Sequence, residues 1–129
     1  MAARAFVAFL ACVSLTVCSH NRGGMPRQNL DIITREQIAE NHFINAYDAV
    51  RAMRSNWLEA HGTDSFKTPS EVIVYRDNVK LGGVEELRAM LATTIAYIRH
   101  YNGVDATSRW GVGHAAGVIQ VSSFAESRD

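Results

Sequence analysis

The sequence predicts a small α+β domain: one mixed sheet of four to five short strands with three to four short helices. Three observations lead there. Apolar residues alternate or run together over 71–76, 95–101 and 117–122, which are strand lengths rather than helix lengths. Helical spacing takes over elsewhere, in Ala46, Val50, Met53 and Trp57, and again in Val84, Leu87, Met90 and Leu91. Both patterns share a chain of 129 residues that is 47% hydrophobic and 20% charged, enough for one packed core and too apolar for disorder throughout.

The elements follow in order. Leu30-Asp31-Ile32-Ile33 reads as a first short strand. Thr34 and Gln37 have capping-box spacing, so a short helix starts there. Asn45 caps a second helix with Asp48 in its first turn; this helix runs to about Ser55, with Arg51 and Arg54 off its apolar face. Residues 59–70 form a loop. In 71–76, Val72 and Val74 occupy one face and Ile73 and Tyr75 the other; two apolar faces predict a central strand. Asp77-Asn78 suits a two-residue turn because both residues tolerate positive φ, and 79–81 returns as a strand that Gly82-Gly83 ends. Residues 84–91 form a helix with Val84, Leu87, Met90 and Leu91 inward. A strand over 95–101 ends at Asn102-Gly103. One or two helical turns cover 105–110, and a glycine loop leads into a last strand over 117–122.

The front of the chain is different in kind. Residues 1–17 carry one charged side chain, Arg4, followed by an apolar run, the form of a secretory signal and too short for a membrane span of about 20 residues. Leu15-Thr16-Val17-Cys18 resembles a bacterial lipobox, with Val17 where a small residue is usual, and Cys18 is then the lipid attachment site. Plain secretion and an uncleaved anchor are the alternatives. Residues 19–30, with Gly23, Gly24 and Pro26, form a flexible linker, and 123–129 a C-terminal tail.

Several chemistries are set aside. Lys+Arg and Asp+Glu both number 13, so no basic excess points to nucleic acid. Gly111-Val112-Gly113-His114-Ala115-Ala116 has the letters of a dinucleotide fingerprint, but a helix precedes it and a strand follows, the reverse of what pyrophosphate binding needs. The glycines are expected to allow a left-handed turn. His20, His42, His61, His100 and His114 include no pair at the i, i+4 spacing of a zinc site. His100 is expected to be packed or at an edge, and His114 exposed. No Gly-x-Ser-x-Gly elbow occurs, and Glu85-Glu86 are sequential rather than facing. No catalytic residue, metal or cofactor is expected. Trp57 is expected in the core, and Trp110 packing a short helix on the sheet.

Three segments carry a family pattern: Val72-Ile73-Val74-Tyr75-Arg76-Asp77-Asn78-Val79; Ile95-Ala96-Tyr97-Ile98-Arg99-His100-Tyr101 with Asn102-Gly103-Val104-Asp105-Ala106; and Trp110-Gly111 with Ala115-Ala116-Gly117-Val118-Ile119. In this order they resemble the plug domain of TonB-dependent outer-membrane receptors over 31–122. There the segments take the forms Val-Tyr-Val-Asp-Gly-Val, Ile-Glu-x-Ile-Glu-Val-Leu-Arg-Gly-Pro-x-x-Ala and Tyr-Gly-x-x-Ala-x-Gly-Gly-Val-Ile. Ala96 and Tyr97 replace acidic residues of that pattern, and Asn102-Gly103-Val104 replaces its Arg-Gly-Pro turn. No TonB box is visible in 19–30, which speaks against coupling to TonB, and no barrel strands follow. The resemblance implies a stand-alone plug-like module, held on the periplasmic side of the outer membrane by its lipid. It would be a non-enzymatic accessory to an envelope receptor protein or its ligand. The alternative is a small-nutrient binding protein using loops 59–70, 77–83 and 102–117; an enzyme is more distant. Candidate binding residues on these loops are Asp77, Asn78, Asn102, Arg109, Trp110 and His114.

Overall fold

The computed structural model describes residues 29–62 and 70–125. The expected leader with Cys18, most of the expected linker, the centre of the 59–70 segment and the end of the tail lie outside the described residues. The described part is a single small α+β domain. In chain order it contains β1 (Ile32–Thr34), α1 (Arg35–Glu40), α2 (Ala46–Met53), β2 (Ile73–Arg76), β3 (Val79–Gly82), β4 (Tyr97–Tyr101), α3 (Gly103–Trp110) and β5 (Val118–Ser122). Short 3-10 helices lie at Ser55–Leu58, Val84–Ala89 and Ala92–Thr94. The strands form one mixed sheet in the order β1-β4-β5-β2-β3. β2 pairs with β5 in parallel, and the other neighbours are antiparallel.

Local chemistry fixes the starts of the elements. Thr34 Oγ1 accepts from the Gln37 backbone amide at 3.4 Å while Gln37 Oε1 accepts from the Thr34 amide at 3.0 Å, closing the expected capping box. Asn45 Oδ1 accepts from the Asp48 amide at 2.9 Å, which starts α2 as read. Asp77 and Asn78 both take positive φ, 52° and 108°, as a two-residue turn matching sheet twist requires.

The two faces of β2 enter two separate clusters, as a central strand demands. Val72 and Val74 join the larger one with Ile33, Val50, Trp57, Leu87, Ile98, Ile119 and Val121 under α1 and α2. Ile73 and Tyr75 join the smaller one with Ala106 and Val118 under α3.

Three expectations need correction. Residues 84–91 do not make an α-helix with Leu91 inward: the 3-10 helix stops at Ala89, and Leu91 is 58% exposed. The cause is a clip between distant segments. The Met90 carbonyl accepts from the Ala46 amide at 2.9 Å and the Ala92 amide donates to the Ile44 carbonyl at 3.0 Å, forming a bridge between Asn45 and Leu91 that turns the Leu91 side chain outward. Asn102 does not simply end a strand. Its Oδ1 accepts from the Val104 and Asp105 amides at 3.0 and 2.9 Å, so α3 starts at Gly103. The third correction concerns His114 and belongs to the site below.

Candidate functional site

Four of the six candidate residues gather around α3 and the smaller cluster; Asp77 and Asn78 sit at the far end of β2. The sheet register brings the two groups into relation. Ile32, Arg99, Gln120, Tyr75 and Lys80 form one row across all five strands, on the face that α3 covers only in part. A chain of hydrogen bonds crosses this face: Arg109 Nη1 donates to Tyr101 Oη (3.2 Å), Tyr101 Oη to Gln120 Oε1 (3.2 Å), and Gln120 Nε2 to Asn78 Oδ1 (3.3 Å).

His114 is buried, contrary to the expectation of an exposed loop residue. Its Nδ1 lies 2.9 Å from the Gly111 carbonyl and its Nε2 2.9 Å from Tyr75 Oη. A carbonyl can only accept, so Nδ1 carries the proton; in the neutral ring Nε2 then accepts from the phenol. Gly111, Gly113 and Gly117 hold φ of 88°, 94° and 103°, the left-handed turns expected of that loop, and they fold His114 back beneath Trp110. Tyr75 stacks on Trp110 at 4.9 Å, Tyr101 meets the same indole edge-on at 5.0 Å, and the Arg109 guanidinium lies 5.0 Å from it. Trp110 therefore packs α3 onto the sheet, as the sequence suggested.

The remaining candidates also serve the fold. Asp77 accepts from the Ser123 amide at 2.7 Å and from Ser122 Oγ at 3.4 Å, tying the β2–β3 turn to the end of β5. Asn102 is the cap of α3 and donates to Asp105 at 2.8 Å. Every buried side-chain nitrogen or oxygen among the described residues has a partner. Among those residues, no group of three or more His, Cys, Asp and Glu could hold a metal ion. No described helix is long and apolar enough to cross a membrane.

Concavities open among the described residues. Residues 59–62, α3 with its cap, and the glycine loop that follows meet in a shallow groove of about 660 Å³ lined by His61, Asn102, Val104, Thr107 and Ser108. At its base a Cβ on either Gly62 or Gly103 would collide with the Ala115 carbonyl, so both positions need glycine for close approach. A second cavity, of about 460 Å³, lies between α1, the segment following it and Ala92–Ile95. None of its lining residues is among the candidate binding residues that the sequence suggests. A scan against protein-family models and a search of the curated proteins each found no match for the chain.

Proposed function

We propose that the chain is a cell-envelope lipoprotein. Its folded part is then a plug-like, non-enzymatic binding or accessory module on the periplasmic side of the outer membrane, held by lipid on Cys18 and serving a receptor protein or its ligand. One observation carries most of the support. The three segments with the receptor-plug pattern meet as β4, β5 and β2, the contiguous centre of the sheet, with a positive-φ turn after β2 and the glycine loop before β5. A second observation agrees. Asp77, Asn102 and His114 spend their polar atoms on turn, cap and core, which is how residues of a scaffold behave.

The experiment is metabolic labelling with radioactive palmitate in a Gram-negative host, comparing the full chain with Cys18→Ser. The native chain is expected to carry label and sediment with outer membranes; the variant is expected to lose both. A native chain that stays unlabelled and soluble contradicts the reading. Pull-down from envelope membranes, with Cys18→Ser as control, then identifies the partner.

A further inference from the structure

We infer that the cavity between α1 and Ala92–Ile95 is a binding site for a small organic carboxylate with an apolar body. Ile38, Phe43, Ala92 and Ile95 make its walls, and Arg35 and His42 line it with them. Its volume, about 460 Å³, lies within the range of cavities that hold small molecules, roughly 300–1,000 Å³.

Charge supplies the first argument. Arg35 is exposed and has no ion pair or hydrogen-bond partner for its guanidinium among the described residues. Its neighbour Glu36 is held chiefly by the Thr34 side chain and its own backbone, which with a lesser contribution from the Arg35 charge keep its pKa below the ordinary carboxylate value against the opposing effect of burial. A guanidinium beside an apolar wall, with no carboxylate bound to it, is complementary to a carboxylate ligand carrying a hydrocarbon body.

Backbone conformation supplies an independent argument. His42 follows the C-cap of α1 with φ of 54°, and its amide donates to the Ala39 carbonyl at 3.2 Å. Glycine is the residue that this left-handed position favours. A histidine here departs from the local rule at a position that lines the cavity beside Ala39 and Phe43, and such departures cluster at ligand sites. The cavity is reachable from solvent, because Arg35, Ala39, His42 and Thr93 are all exposed. This inference stands apart from the envelope reading, since it needs neither lipid on Cys18 nor a receptor partner.

The test is a titration of the isotope-labelled, purified full chain (Cys18→Ser, to keep it unlipidated) with octanoate, followed by amide chemical shifts and calorimetry. Octanol supplies the body without the charge, and acetate the charge without the body. Octanoate is expected to shift the Ala39, Phe43 and Thr93 amides and to bind at least tenfold more tightly than either control. Arg35→Gln is expected to weaken octanoate roughly tenfold, the effect of losing one charged hydrogen bond, and to leave octanol unchanged. His42→Gly is expected to weaken octanoate while raising the thermal midpoint, a pairing that a purely structural histidine would not give. Equal binding of octanol and octanoate, shifts confined to other parts of the domain, or undiminished octanoate binding by Arg35→Gln would overturn the inference.

Discussion

The two faces of the sheet are held by different physics. Under α1 and α2 lies a continuous apolar cluster in which Ile33, Val50, Val74, Leu87, Ile98 and Ile119 are fully buried. Under α3 a smaller cluster of Ile73, Tyr75, Ala106 and Val118 has Tyr101 and Trp110 packed against it, and much of the contact there is aromatic or hydrogen-bonded. The first face draws on the removal of hydrocarbon from water, which is insensitive to direction. The second depends on direction: each phenol, amide and imidazole has to meet a particular atom. The two faces are therefore expected to tolerate different substitutions. Volume governs the first face, and atom identity governs the second.

The largest expected effect lies on the first face. Ile98→Ala removes a fully buried β4 side chain from the larger cluster and is expected to cost about 2–5 kcal/mol in urea unfolding, as large-to-small core changes do. A smaller but sharper effect is expected from Tyr75→Phe. It keeps the ring stacked on Trp110 yet leaves His114 Nε2 buried without its donor, at a cost of about 1–3 kcal/mol. Tyr101→Phe removes a phenol that is only half-buried and whose partners Arg109 and Gln120 keep other contacts, so about 0.5–1.5 kcal/mol is expected. If both Tyr→Phe changes prove neutral, the contrast between the faces fails.

The smallest effect is a pH dependence on the first face, where one polar ring intrudes. His100 stacks on Trp57 at 5.3 Å. Burial lowers its pKa from the ordinary value of 6.5, opposed by the charge of Asp31 and reinforced weakly by His61. The unfolded chain therefore takes up this proton first as pH falls. The contribution of neutral His100 is complete above pH 6.5 and is lost progressively as pH falls below it, through the lower folded pKa. Urea midpoints measured from pH 7.5 to pH 5 should decline, and His100→Gln should flatten that decline.

How much was legible in the sequence follows the same division. The capping box at Thr34 and Gln37, the cap at Asn45 and the turn at Asp77-Asn78 were readable because each is a bargain among residues at most four apart. The central place of β2 was readable because both of its faces are apolar. His114 was misread because its burial depends on Tyr75, 39 positions away. Leu91 was misread because the bridge to Asn45 overrides its helical spacing. The cavity at Arg35 and His42 has no local signature for the same reason: its walls come from two stretches that only the tertiary fold brings together. The structural roles of the candidate binding residues are not legible locally, since Asn102 and Asp77 look alike as ligands and as caps until their backbone partners are known.

The account rests on 71–76, 95–101 and 117–122 sharing one sheet with β5 between β4 and β2. The most direct measurement is the set of inter-strand nuclear Overhauser contacts in the full chain. Contacts are expected between Ile98 and Val121 and between His100 and Ile119 across the antiparallel pair, together with contacts from Val74 and Tyr75 to Ile119 and Gln120 across the parallel one. Strong contacts joining 71–76 directly to 95–101, with β5 absent between them, would contradict it.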